Sequence, residues 1–376
     1  MRVLSDEAGR ALRGKAIGRI VVIKPSALGD VVQSLPLARV LQTAWPGAEV
    51  HWVINREFES LLAGHPRLAG TIPFQRRGGF TRYLRLLADL RARRFDLVLD
   101  LQGLLRTGVM TRATGAPLRL GLQTAREGSH LACTGLIPGT ARTVPAHARY
   151  WQVAAWLGLG EVPRALELEL SPQDQDWARD LLRDLPRPVV AVHAGAAWVT
   201  KRWPPAQFAQ ALSGIAGTAI LVGAGGELPL AQGVAAGLAG TGTRVLNLAG
   251  QTSLKQLAAL LGGVDAVLSN DSGPMHLAAG LGTPVVGLFT CTSPVQSGPV
   301  PLGEVPFGQV PLGQAPARSS STGTEDLAHA LVATTVECAA SYRKECPFTG
   351  ERRHACFGAL EVARVREALQ RVVSRG

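Results

Sequence analysis

Along the first half of the chain, short unbroken apolar runs alternate with longer stretches whose apolar positions recur at helical spacing. Ile20-Val21-Val22-Ile23 stops at Lys24-Pro25-Ser26-Ala27-Leu28-Gly29-Asp30, and a helical pattern follows from Val31 to Ala44. Glu49 to Ile54 and Phe95 to Asp100 read as the next strands. Strands this short and this apolar need cover on both faces, so strands alternating with helices predict a parallel sheet with right-handed crossovers.

The same grammar restarts further on. Ser171-Pro172 followed by Asp174 and Asp176 is a helix start, with Ser171 as N-cap and Pro172 at the first helical position. Strands are then expected at Val189–His193, Ala219–Val222, Arg244–Leu248, Ala266–Ser269 and Val285–Phe289. The pattern predicts an α/β protein of two doubly wound domains with a cleft between them, divided as residues 19–168 and 169–376. Two stretches break it. Residues 1–18 are polar without strand periodicity and read as a loose N-terminal extension. Residues 300–314 repeat Val-Pro-Leu-Gly-Glu, Val-Pro-Phe-Gly-Gln, Val-Pro-Leu-Gly-Gln, which excludes helix and central strand and predicts an extended, mobile surface loop over 300–322.

Composition narrows the class. A chain of 376 residues suits two ordinary cores, and 46% hydrophobic with 18% charged residues is the balance of a folded protein. The longest apolar stretch, Ala216 to Gly225, is short and broken by glycine, and no apolar signal region opens the chain, so a cytoplasmic protein is expected. The net charge of +11 admits nucleic acid, an anionic membrane or an anionic small substrate as partner. Its arginines crowd the first half, at 76, 77, 82, 85, 91, 93, 94, 106, 112, 119 and 126. Zinc-finger spacing and aromatic-bearing basic motifs are missing, which disfavours nucleic acid. The cysteines at 133, 291, 338, 346 and 356 are odd in number and too widely spaced for the tight pairs of a zinc site, so neither a disulfide framework nor a metal is expected.

Four loops carry candidate chemistry. In Lys24 to Asp30, Gly29 lets a ligand approach the backbone, and Asp30 reads either as a helix cap or as a carboxylate at the carboxyl edge of a sheet. Thr200-Lys201-Arg202-Trp203-Pro204 sets cations beside a proline-started helix, a site for a diphosphate or an exposed pair flanking a packed Trp203. Asn270-Asp271-Ser272-Gly273-Pro274-Met275-His276 runs from strand to helix with Asp271 or Ser272 as cap, and its free N–H groups suit phosphate oxygens. His276 is open between ligand contact and core histidine. Gly223-Ala224-Gly225-Gly226-Glu227 lacks the G-x-G-x-x-G spacing of a nicotinamide fingerprint, and Glu227 suits ribose hydroxyls instead.

Together these motifs resemble the ADP-heptose:lipopolysaccharide heptosyltransferases of glycosyltransferase family 9, inverting enzymes of GT-B type with two facing Rossmann-like domains. The resemblance implies Asp30 as base, Lys201 at the diphosphate, and the loop from Asp271 to His276 as phosphate cradle, with Gly29, Thr200 and Glu227 as further donor contacts. Asp100-Leu101-Gln102-Gly103-Leu104 and Gln123 to Glu127 look most like the member that adds the first heptose to Kdo. Ser26, Gln102, Gly103 and Arg126 are the acceptor residues it implies. Cys291-Thr292-Ser293-Pro294 departs from the Gly-Pro-Thr turn usual there, and Ser341 stands at one place where some relatives carry a cysteine.

The implied reaction is a single displacement at an anomeric carbon without a cofactor. Asp30 takes the acceptor proton, Lys201 and the helix start at Ser272–Met275 stabilise the leaving diphosphate, and domain closure excludes water. An anionic, lipid-borne acceptor would meet the arginine-rich N-terminal domain at the inner membrane face, with the sugar nucleotide on the C-terminal domain. A same-fold enzyme for another sugar nucleotide, a nicotinamide dehydrogenase, a nucleic-acid binder and a catalytically silent paralogue are the competing readings.

Overall fold

Every strand pairing in the two six-stranded sheets is parallel. The structure is a computed structural model that describes residues 2–299 and 329–374, and the chain divides into two units that part between Glu169 and Leu170. The repeat expected to form a loop at 300–322 lies outside the described residues.

The first unit holds β1 (Arg19–Ile23), β2 (Glu49–Asn55), β3 (Gly70–Phe74), β4 (Leu97–Asp100), β5 (Leu118–Leu122) and β6 (Gly135–Ile137) in the order β3-β2-β1-β4-β5-β6. Its helices are α1 (Asp6–Arg13), α2 (Leu28–Ser34), α3 (Leu37–Ala44), α4 (Glu59–Leu62), α5 (Gly79–Ala92), α6 (Leu105–Ala113) and α7 (Ala146–Trp156). Side chains alternate across a strand, so Val21 and Ile23 face one side. They pack with Leu86 and Leu90 of α5 and Met110 of α6. The single helix expected over Val31–Ala44 is two helices. Pro36 offers no N–H to continue the first and opens the second.

The opening residues are not the loose extension expected. Gly9 of α1 lies against α7 so closely that a Cβ would sit 2.0 Å from the Trp156 carbonyl oxygen. Trp156 Nε1 donates to Ser5 O at 3.0 Å, and Val3 bridges to Leu136. One apolar position per turn over two turns is too little pattern to read in advance.

The second unit holds β7 (Val189–His193), β8 (Thr218–Leu221), β9 (Arg244–Asn247), β10 (Ala266–Asn270), β11 (Val285–Phe289) and β12 (Ala330–Ala333) in the order β12-β11-β10-β7-β8-β9. Its helices are α8 (Pro172–Leu182), α9 (Pro205–Leu212), α10 (Leu228–Leu238), α11 (Leu254–Gly263), α12 (Gly273–Gly280), α13 (Pro294–Ser297), α14 (Ala355–Ala359) and α15 (Val362–Val373). Ser171 caps α8 by accepting from Asp174 N at 3.1 Å, with Pro172 in the first turn. Trp203 is fully buried edge-on to Phe208, with ring centroids 5.2 Å apart. Truncating a tryptophan so placed costs about 3–5 kcal/mol. Read from its own end, this sheet repeats the order of the first. In each unit the strand order reverses direction between the first and fourth strands. That is where the carboxyl ends of a doubly wound sheet leave room for a ligand.

Candidate active site

The loops after β1 and β4 flank the reversal point of the first unit, and they carry the residues expected for base and acceptor. Asp30 lies in the first turn of α2. Its Oδ1 accepts from Tyr150 Oη at 2.9 Å, and its Oδ2 accepts from Ala27 N at 3.3 Å with Lys24 Nζ at 3.4 Å. The carboxylate is thus both a helix cap and a held group half open to solvent, which merges the two readings of the sequence. Lys24 is buried, 5.3 Å from the Tyr150 ring centroid; burial lowers its pKa and outweighs the pull of Asp30. Burial also raises Tyr150 well above its ordinary value, aided by Asp30, so its phenol stays a donor.

Across the reversal point, the buried Asp100 carboxylate shapes the loop after β4. It accepts from Gln102 N at 3.0 Å, Gly103 N at 2.9 Å and Thr107 Oγ1 at 3.0 Å. Gly103 has φ +64, and a Cβ there would lie 2.9 Å from Ala125 Cα, so both backbone and space demand glycine. Arg126 N donates to Gly103 O at 2.9 Å, which brings Gln102, Gly103 and Arg126 into one loop cluster. Gln102 Oε1 is buried with no partner among the described residues, while the Arg126 side chain is exposed. Ser26 is half-buried in the neighbouring loop.

The second unit uses its reversal point the same way, with loops after β7 and β10. Asn270 ties the two together, donating to Ala194 O at 2.9 Å and accepting from Trp203 N at 3.2 Å. Asp271 sits beneath the start of α12. Lys201 Nζ is 2.7 Å and Thr292 Oγ1 2.7 Å from its Oδ2, and His276 Nε2 is 3.8 Å from its Oδ1. Burial opposes ionisation of Asp271, but the His276 bond and the Lys201 charge prevail and hold the carboxyl at about 2. Lys201 also lies 4.7 Å from the Trp198 ring centroid. Gly273 and Pro274 form the first turn of α12, whose unpaired N–H groups favour an anion.

Ser272 holds the N-cap position without capping: its hydroxyl meets His193 Nδ1 at 2.9 Å and Ser269 Oγ at 3.0 Å. His193 Nε2 meets Glu227 Oε2 at 3.1 Å, and Glu227 also accepts from Ala224 N at 2.9 Å. Burial pushes the Glu227 carboxyl up, yet the His193 bond and charge bring it below its ordinary value. With Glu227 ionised, the ring donates Nε2–H to it, and Nδ1 lies within hydrogen-bond distance of the Ser272 hydroxyl.

The structure thus gathers Lys201, Asp271, Ser272, Gly273, Pro274, His276 and Glu227 in one unit and Ser26, Gly29, Asp30, Gln102, Gly103 and Arg126 in the other. Thr200, expected to touch the donor, turns its buried hydroxyl to Arg343 O at 2.7 Å and supports the lysine turn from beneath. His193 and Tyr150 are absent from the sequence-based set. A histidine ending an apolar strand was a visible signal, whereas Tyr150 reaches Asp30 only through the packing of α7 on α2. Among the described residues no group of three or more His, Cys, Asp or Glu is arranged to hold a metal ion.

Two Rossmann-like units, one with an anion-seeking helix start and the other with a held carboxylate, are the parts a sugar-nucleotide glycosyltransferase needs, and similarity to known proteins assigns that class. Residues 83–324 match the model of glycosyltransferase family 9 (heptosyltransferase), and the chain belongs to that family. Lipopolysaccharide heptosyltransferase 1 of Pseudomonas aeruginosa is 30% identical over 312 residues, covering 74% of this chain and 81% of its own length. Lipopolysaccharide core heptosyltransferase OpsX of Haemophilus influenzae is 28% identical over 287 residues, covering 74% of this chain and 80% of its own. Among solved structures, Escherichia coli heptosyltransferase WaaC with ADP superposes with a TM-score of 0.59 at 26% identity, covering 75% of this chain and 90% of that one. A family 9 glycosyltransferase from Veillonella parvula gives 0.75 at 20% identity, covering 96% and 98%, and speaks for the fold alone. Heptose transfer in lipopolysaccharide synthesis is the activity this membership supports.

Proposed function

We propose that this enzyme transfers heptose from ADP-heptose to the lipopolysaccharide inner core, onto Kdo or a heptose, with inversion at the anomeric carbon. The observation that carries the reading is the Lys201–Asp271–His276 cluster under the start of α12, joined to the Glu227–His193 pair through Ser272. It offers a cation and free N–H groups for a diphosphate beside a carboxylate for a ribose. Solved relatives hold ADP and ADP-2-deoxy-2-fluoro heptose, which favours an adenine nucleotide. An acceptor hydroxyl titrates far above pH 7, so a base must take its proton as attack proceeds. Asp30 is that base, with Tyr150 and Ala27 N fixing its orientation. As the bond to the sugar breaks, charge collects on ADP, and Lys201 with the α12 amides stabilises it.

The acceptor belongs to the first unit, through Ser26, Gln102, Gly103 and Arg126, and the donor to the second. A lipid-borne acceptor places the enzyme peripherally on the inner face of the inner membrane, and no helix among the described residues is long and apolar enough to cross it. Nucleic acid is not a partner, and no cofactor takes part.

The test is mass spectrometry of Kdo-lipid A incubated with the purified chain and ADP-heptose, or with UDP- and GDP-sugars. Gain of one heptose from ADP-heptose alone is expected. Transfer only from another nucleotide sugar would move the chain to a different donor, and transfer from none would make it a silent paralogue.

A further inference from the structure

Nine large apolar side chains are exposed among the described residues, and five gather on three neighbouring elements of the first unit. Phe80 and Leu84 stand one turn apart on α5, Leu105 and Val109 one turn apart on α6, and Leu131 on the short turn Ser129–Ala132. Spacing of four puts each pair on one helix face. Phe80 is 73% and Leu131 75% exposed, while Leu86, Leu90 and Met110 already fill the core beneath. The elements adjoin. Tyr83 Oη donates to Arg106 O at 2.7 Å, and α6 approaches the turn so closely that a Cβ on Gly108 would lie 2.8 Å from Ser129 Cα. Both helices begin at the carboxyl edge of the sheet, and α6 starts directly after the Gln102–Gly103 loop, with Leu105 N donating to Glu127 next to Arg126.

Exposed arginines share these elements: Arg76 and Arg77 ahead of α5, Arg82 and Arg85 on it, and Arg106 and Arg112 on α6. The nearby carboxylates are engaged, Asp89 with Arg93 at 3.0 Å and Glu127 with Leu105 N at 3.2 Å. Scattered exposed apolar residues mean nothing, but a group of them on elements that also expose guanidinium groups has the chemistry of a bilayer interface. Acyl chains accept the apolar side chains, and anionic headgroups pair with the arginines.

We propose that the face built by α5, α6 and the Ser129–Ala132 turn docks on an anionic phospholipid leaflet, inserting Phe80, Leu84, Leu105, Val109 and Leu131 below the headgroups. This deepens the lipid-borne-acceptor reading and rests on it for its purpose. Docking there brings the carboxyl edge of the first sheet, with its acceptor loop, to the layer from which an acceptor headgroup projects.

The test uses the full chain with vesicles of phosphatidylglycerol and phosphatidylethanolamine, against phosphatidylcholine vesicles, without donor or acceptor. Binding to the anionic vesicles is expected, weakening as salt rises from about 0.1 M toward 1 M, over which the screening length falls from about 10 to about 3 Å. The double variant Phe80→Ser, Leu131→Ser should lower partitioning about tenfold or more, because each insertion loses several buried CH₂ equivalents. Its ADP affinity and its transfer to a delipidated acceptor should equal those of the wild type. Equal partitioning of wild type and variant overturns the proposal. So does concentration-dependent self-association that the variant abolishes without any vesicle binding, which would assign the face to a second copy of the chain. Vesicle binding by a wild type that transfers no heptose would sink the functional reading and leave the docking surface standing.

Discussion

Replacing Gly195 by alanine should weaken ADP binding although no residue that contacts the nucleotide in our reading is itself replaced. Gly195 follows β7, and a Cβ there would lie 1.9 Å from Glu227 Oε1 and 2.3 Å from its Cδ. Gly195 is not among the positive-φ glycines, so alanine meets no backbone penalty. The obstacle is the end of a flexible side chain, and the carboxylate yields rather than the strand. In moving, it leaves His193 Nε2 at 3.1 Å and Ala224 N at 2.9 Å, the contacts that hold it ionised and aimed. A hydrogen bond to a charged group contributes about 1.5–3 kcal/mol, so losing one ribose contact should raise the ADP Kd roughly 10- to 100-fold. Titration calorimetry with ADP measures this, and thermal melting confirms that the unit stays folded. Glu227→Ala should show the same loss, and the double variant no further loss, since both act through one carboxylate. Wild-type ADP affinity in Gly195→Ala, or additive losses in the double variant, would refute the argument.

Three other changes probe the rest of the site. Asp30→Asn should lower turnover by about 100-fold or more while ADP binds normally, because it removes a base and no phosphate contact; near wild-type turnover would remove Asp30 from the mechanism. Lys201→Ala should reduce kcat more than ADP affinity, since charge on the leaving diphosphate grows toward the transition state, and an affinity loss with intact kcat would make it a ground-state contact. Asp271 titrates at about 2 in the folded chain, below the roughly 3.9 of an unfolded aspartate, so its contribution is fully present above that higher value and disappears as pH falls through about 2. The stability gap between wild type and Asp271→Asn should therefore close by roughly 2 kcal/mol between about pH 5 and 2, and melting curves that fall in parallel over that interval would count against the pair.

Strands near the middle of each sheet announced themselves in the sequence, as did the edge strand β9, whereas β3, β5, β6 and β12 did not. Val189–His193 and Val285–Phe289 were legible to the residue, because a strand buried on both faces is apolar at nearly every position. Gly70-Thr-Ile-Pro-Phe at the edge and Leu118-Arg-Leu-Gly-Leu one strand in from it carry glycine, proline or arginine, which hides them from pattern reading. The loops bearing Asp30, Lys201 and Asp271 were visible because each follows such a strand. The connections of their side chains were not. That Ser272 turns to His193, that Thr200 faces Arg343, and that Tyr150 holds Asp30 are consequences of packing between residues as much as 143 positions apart.

The order in which a ribosome delivers these parts bears on when the enzyme becomes able to bind its donor. The strands of the first sheet have all been made once residue 137 is added. The turn carrying Lys201, by contrast, hangs from the far end of the chain: Thr200 donates to Arg343 O, Trp203 Nε1 donates to Phe357 O at 3.1 Å, and Val365 and Leu369 of α15 close the core around Trp203. At the usual pace of synthesis, about 5–20 residues per second, roughly 7 to 34 seconds separate Lys201 from these supports. The nascent chain therefore carries a finished first sheet long before it has a nucleotide site. A chain released early would be inert toward the donor rather than partly active.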